Sequence, residues 1–276
     1  MTLFQTIIIS VIEGLTEFLP VSSTGHMIIA QNLLGVQQGD PFVHAFTFII
    51  QFGAILSVVC LYWKHFFQIR NKKELQEKLK FYGLLIVGVI PAVIVGLCAK
   101  KSGLLDFLLD SVRVVAVMLV IGGVFMLFVD RIFNKGYDQN KVTPKRAVMI
   151  GLFQCISVIP GVSRSMATIV GGMAQKLTRK RAAEFSFFLA VPTMAGATLL
   201  DLMDMLKSGT TWATPYNTML LILGCVIAFI VAIAAMKWFV GYLTKHGFRF
   251  FGWYRIIVGA IILILLATGH SLVIAG

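Results

Sequence analysis

Six apolar runs, at about 42–63, 82–99, 112–132, 184–203, 217–240 and 252–271, dominate this 276-residue sequence. A helix of about 20 residues crosses the hydrocarbon core of a bilayer, and each run can do so with ordinary tilt. With 58% hydrophobic and 13% charged residues and a mean hydropathy of +0.89, a water-soluble domain is excluded. Two further apolar stretches, 3–33 and 147–175, are broken. Pro20 and Ser22-Ser23-Thr24-Gly25 cut the first; Pro160-Gly161 and Ser163-Arg164-Ser165 cut the second. Proline, glycine and hydroxyl residues are tolerated at membrane depth where backbone lines a protein-enclosed cavity. The expected fold class is an all-α integral membrane protein: six transmembrane helices plus two re-entrant helical hairpins, in a single membrane domain over 1–276.

The net charge of +12 would suggest nucleic acid on a soluble protein. Here the basic residues sit between apolar runs, where the positive-inside rule accounts for them, so no nucleic-acid partner is expected. The loops at 64–80, 131–146 and 176–183 carry six, five and four Lys/Arg, and the one around 100–111 carries two. A re-entrant 147–175 puts 131–146 and 176–183 on one cytoplasmic face, whereas a full crossing would separate them. The Lys-poor loop at 204–216 then falls outside, and 241–250 inside. The four cysteines and five histidines form no metal-binding spacing. No Lys or Arg precedes the first apolar run, and Glu13 interrupts it, so a cleaved signal peptide is not expected.

The two halves resemble each other. Glu13…Pro20-Val21-Ser22-Ser23 parallels Gln154…Pro160-Gly161-Val162-Ser163 with a one-residue shift, and Ala45-Phe46-Thr47-Phe48 parallels Glu184-Phe185-Ser186-Phe187. Each half, 1–133 and 145–276, then holds one hairpin and three spans. An odd number of crossings turns the second half upside down, giving an inverted-topology repeat. The first hairpin would open outside and the second inside, the two meeting near the midplane.

Only two charged residues precede position 40, and both are carboxylates, Glu13 and Glu17. A charge at membrane depth costs roughly 2.5–3.5 kcal/mol on insertion scales, and like charges at i and i+4 repel. A helix with a purely structural task has no use for the pair. Pro20 ends their helix, and Ser22 or Ser23 can cap the next one, whose free N–H groups suit an anion. With Thr24 and His26, the segment gathers carboxylates, hydroxyls and an imidazole, the inventory for acid–base or nucleophilic chemistry.

The second hairpin supplies the complement. Arg164 is the only charged residue between Arg146 and Lys176, and a guanidinium forks onto phosphate or carboxylate. Gly161, Ser163, Ser165 and Thr168 add close backbone approach and hydroxyls, which makes an anion cradle. Gln51, polar within an apolar span, is a further candidate for substrate contact. Two glutamates and one arginine leave a bound polyanion facing net negative charge. Mg²⁺ held by Glu13 and Glu17 together with substrate phosphate would resolve this; Ca²⁺ or a protonated glutamate would also do so.

The segments Glu13-Gly-Leu-Thr-Glu17-Phe-Leu-Pro-Val-Ser-Ser-Thr-Gly-His26 and Pro160-Gly-Val-Ser-Arg164-Ser-Met-Ala-Thr168 closely resemble the signature pair of the bacitracin-resistance family of undecaprenyl-diphosphate phosphatases. Glu184-Phe-Ser-Phe-Phe-Leu-Ala-Val-Pro192 is similar to that family too, and the likeness runs over essentially the whole chain. The resemblance implies a multi-pass enzyme of the bacterial inner membrane that converts undecaprenyl diphosphate to undecaprenyl phosphate, the lipid carrier for peptidoglycan. It implies Mg²⁺ dependence and a site facing the periplasm. It also implies roles for Glu13 and Glu17 as the acidic motif, Ser23 and His26 as the serine–histidine segment, and Arg164 as the phosphate-binding arginine. Ser23 would attack phosphorus with His26 as base, or His26 or Glu17 would activate water. A polyprenyl-phosphate transporter or flippase is the rival reading, because carriers also build midplane anion sites from inverted repeats. Oligomeric state is left open.

Overall fold

The computed structural model describes all residues except 38, 104–107, 109–110, 134–135, 208–211, 271 and 273–276, and the described residues form helices joined by turns. The first broken stretch is α1 (Leu3–Thr16) and α2 (Ser23–Leu33); α3 (Pro41–Leu61), α4 (Trp63–Phe67), α5 (Lys72–Lys101) and α6 (Val112–Ile132) follow. The second broken stretch is α7 (Pro144–Cys155) and α8 (Arg164–Ala174), followed by α9 (Arg179–Lys207), α10 (Pro215–His246) and α11 (Arg249–Ala267). Six helices, α3, α5, α6, α9, α10 and α11, are long and apolar enough to cross a membrane. They correspond to the six expected spans.

Local chemistry sets the boundaries. Asp40, Thr143 and Thr214 cap α3, α7 and α10 through their side-chain oxygens, each directly before a proline at the first helical position. There the fixed φ of proline suits the helix and its missing N–H goes unmissed. The basic stretch 64–80 differs from the expected loop. It holds α4 and the first turns of α5, because Lys, Glu, Leu and Gln are strong helix formers and Asn71 caps the new start through Glu74 N. A span can therefore continue past the membrane boundary as a charged helix.

The basic loops gather at one end of the bundle. Arg179 pairs with Asp130 at 2.8 Å, the Phe248 amide donates to the same carboxylate at 2.7 Å, and Tyr137 N donates to Lys176 O at 3.2 Å. His65 stacks on Phe188 at the same end. At the opposite end, Lys100 pairs with Asp204 at 2.7 Å.

Small residues bring the helices together. Between α6 and α11, a Cβ on Gly123 would lie 2.7 Å from Gly252 O, and one on Gly252 would lie 2.8 Å from Gly123 O. Such close approach gives dispersion and Cα–H contacts where lipid supplies no hydrophobic drive. The outer faces carry large apolar side chains, among them Ile86, Ile90 and Ile94 on α5 and Ile257, Ile261 and Ile264 on α11. Gly123→Val is expected to push α6 off α11 and lower stability in detergent by about 1–3 kcal/mol. A thermal melt unchanged from wild type would show that the two backbones do not touch.

Candidate active site

Each broken stretch folds back on itself. The ends of α1 and α2 lie side by side, Gln5 Nε2 donating to Leu34 O at 3.0 Å, with the turn at 17–22 between the helices. In the second stretch a short 3₁₀ turn, Ile156–Val158, leads into Pro160-Gly161-Val162-Ser163 before α8. The two turns meet: Ser165 Oγ donates to Leu19 O at 2.7 Å.

Backbone geometry repeats at the two turns. Ser22 has φ 70° and ψ 99°, and Ser163 has φ 76° and ψ 113°, a region L-residues rarely adopt and one that marks functional sites. Each immediately precedes a helix. Ser163 caps its helix by accepting from Met166 N at 3.4 Å. Ser22 makes no side-chain cap bond, so the first N–H groups of α2 keep their capacity for an anion.

At this junction three predicted residues form a chain. Ser23 Oγ donates to Glu17 Oε2 at 2.7 Å, and Arg164 Nη2 donates to Glu17 Oε1 at 2.9 Å. The two charged side chains are 13% and 9% exposed, and the guanidinium lies 5.6 Å from the Phe18 ring centre. Arg164 also reaches Ser186 O and Met194 Sδ on α9. Removing one partner of such a buried pair strands the other charge.

Glu13, one turn before Glu17, is 1% exposed, and its carboxyl adjoins that of Glu17. Its Oε1 and Arg164 Nε are buried without a hydrogen-bond partner among the described residues. One is an unused acceptor and the other an unused donor, at the two ends of the same cluster. Among the described residues no group of three or more His, Cys, Asp and Glu converges. A metal ion would find Glu13 and Glu17 as its protein ligands, the Glu13 acceptor unused and the Glu17 oxygens keeping further lone pairs.

His26 stands apart from this chain. Its Nδ1 faces Ser22 O at 2.8 Å and its Nε2 faces Tyr254 Oη at 2.7 Å, and no hydrogen bond joins it to Ser23 among the described residues. Thr168 Oγ1 is held by Arg164 O at 2.9 Å and Ser186 Oγ at 2.6 Å, so it braces α8 against α9. Ser163 and Ser165 share a hydroxyl contact at 3.1 Å. Thr24 is half-buried beside Ser23, and Gln51 is half-buried on α3 with no hydrogen bond to the cluster among the described residues.

Sequence reasoning missed Arg255. It is fully buried on α11 and serves carbonyls rather than a carboxylate. Nη1 donates to Pro20 O at 3.3 Å and Val162 O at 3.0 Å, Nη2 to Gly161 O at 2.7 Å and Met118 O at 3.1 Å, and Nε to Leu119 O at 3.4 Å. One guanidinium thus ties both turns to α6. Gly161, at φ 89°, presents its carbonyl to this cage. The available signal was a lone charge inside the run 252–271.

Residues 6–261 match the family described as bacitracin resistance protein BacA. An undecaprenyl-diphosphatase of Porphyromonas gingivalis is 50% identical over 284 aligned positions, covering 99% of this chain and 100% of the relative. One from Flavobacterium psychrophilum is 52% identical, covering 99% of both chains, and one from Bdellovibrio bacteriovorus is 47% identical, again covering 99% of both. The chain belongs to the BacA family and, with its six apolar helices, is a multi-pass membrane protein.

Arg255→Met is expected to leave buried carbonyls unserved and destabilise the protein by about 3–5 kcal/mol, with protease sensitivity appearing at 17–22 and 159–163. Arg255→Lys should rescue only part, because three donors replace five. Full stability of the methionine variant would contradict the carbonyl cage.

Proposed function

We propose that this chain is an undecaprenyl-diphosphate phosphatase, releasing inorganic phosphate and undecaprenyl phosphate and so recycling the lipid carrier of peptidoglycan synthesis. The observation that carries the reading is the linked series Ser23–Glu17–Arg164: a hydroxyl, a carboxylate that accepts its hydrogen bond, and a guanidinium. The activity printed for the relatives agrees with it. Arg164 and the open N–H groups at the start of α2 would bind the diphosphate, with Ser22, Thr24 and Ser163 beside them. Phosphoryl transfer depends chiefly on such positioning and electrostatics.

In the favoured route, Ser23 Oγ attacks the terminal phosphorus while its proton passes to Glu17 Oε2, 2.7 Å away. The bond from phosphorus to the bridging oxygen breaks, and the polyprenyl phosphate leaves. Water then attacks the phosphoserine, the P–Oγ bond breaks, and inorganic phosphate departs as Ser23 regains a proton. The contact of Ser23 with Glu17, and not with His26, supports the carboxylate rather than the imidazole as its proton acceptor. Direct attack by water activated at Glu17 or His26 is the second route. Mg²⁺ fits the carboxylate side of the cluster: Glu13 and Glu17 would hold it with diphosphate oxygens, and when bound it would neutralise phosphate charge.

The same reading places both broken stretches as re-entrant hairpins of an inverted repeat in the bacterial inner membrane, with the site open to the periplasm. Matching backbone at Ser22 and Ser163 and the gathering of basic loops at one end support that topology. A lipid carrier needs no nucleophile, and the Ser23 hydroxyl held on a carboxylate favours the phosphatase.

Purified protein is expected to release phosphate from a long-chain prenyl diphosphate with Mg²⁺ and to stop with chelator. Glu17→Gln and Arg164→Ala should each lower the rate by at least about 100-fold. Well-folded wild type that binds the lipid without releasing phosphate would favour the carrier. Rapid quench with substrate labelled in its terminal phosphate should trap phosphoserine at Ser23; persistent absence of that species would move the attack to water.

A further inference from the structure

The hydrogen bonds of His26 fix more than its place. A carbonyl can only accept, so the Nδ1 facing Ser22 O at 2.8 Å carries the hydrogen. In the neutral ring Nε2 is then an acceptor, and the Tyr254 hydroxyl, 2.7 Å away, donates to it. The two rings lie nearly parallel, with planes 6° apart and centroids 5.5 Å apart. Tyr254 precedes the Arg255 that cages both turns, so its backbone is anchored to the same turns that carry the site. Its neighbours Phe250, Trp253 and Ile257 are exposed on α11, on a surface whose chemistry suits lipid.

We propose that Tyr254 is a positioning residue that acts through His26: its hydroxyl donates to Nε2 and holds in place, on the flank of the site that meets the bilayer, the ring whose Nδ1–H tautomer the Ser22 carbonyl sets. The inference rests on the phosphatase reading for its kinetic consequence and on geometry alone for the contact. Through Nδ1 the imidazole holds the carbonyl of Ser22, the residue before the Ser23 hydroxyl, so a loosened ring loosens the turn that presents that hydroxyl. Without the phenol hydroxyl the ring keeps its Ser22 bond but loses the hydrogen bond that holds its Nε2 edge.

Two readouts test this. The first is phosphate release by wild type, Tyr254→Phe, His26→Gln and the double variant. Tyr254→Phe is expected to lower kcat on the order of tenfold with KM and melting temperature nearly unchanged, and to add nothing in the His26→Gln background. An undiminished kcat, or a loss of equal size in the His26→Gln background, would overturn the proposal. The second is the rate at which diethylpyrocarbonate modifies His26, read by peptide mass spectrometry. It should rise in Tyr254→Phe, because Nε2 loses its cap, and stay unchanged in Trp253→Phe. An unchanged rate in Tyr254→Phe would refute the contact itself. Should wild type release no phosphate at all, the phosphatase reading fails, and the modification rates alone decide whether Tyr254 holds His26.

Discussion

A single buried cation, Arg255, holds together the two places where the chain breaks off its helices. Breaking a helix leaves backbone carbonyls without their intrahelical partners, and burying them unserved inside the protein costs free energy. The protein answers with one guanidinium, whose donors reach Pro20, Gly161 and Val162 at the turns and Met118 and Leu119 on α6. A carboxylate partner would remove the charge from this task. Carbonyl dipoles instead leave the arginine fully employed and fix both turns against one rigid helix. Everything in the candidate site hangs from that arrangement: Glu17 and Ser23 flank one turn, and Arg164 follows the other.

The two stretches contribute unequally to the chemistry. At the positions that the sequence parallel aligns, Glu13 and Gln154 are both 1% exposed, and each leaves an Oε1 without a partner. Yet Gln154 is neutral and binds Thr193. Only the first stretch gathers acid groups, while the second provides the cation that faces them. Such division lets a cluster of two carboxylates and one guanidinium form across a junction.

Much of this was legible beforehand. The six spans followed from apolar length. Glu13, Glu17 and Arg164 stood out as charges where none is cheap, and Ser23 as a hydroxyl at a helix start. What the sequence hid was partnership. Spacing suggested a Ser23–His26 pair three residues apart, but one helical turn carries the imidazole toward Tyr254, 228 residues further along the chain. Thr168 and Ser165 looked free to bind an anion and instead bond to Ser186 and Leu19, contacts that need the tertiary fold. Arg255 was submerged in an apolar run, and no local pattern could say that distant carbonyls would converge on it.

The central claim is that Glu17 and Arg164, 147 residues apart in sequence and 2.9 Å apart in the structure, work as one unit on a lipid diphosphate. A double-mutant cycle with the mild changes Glu17→Asp and Arg164→Lys, read as kcat/KM for phosphate release, tests it most directly. The account predicts strong non-additivity, the double variant losing little more than the worse single one. Losses that simply multiply would mean two independent roles and would contradict a single site built across the junction.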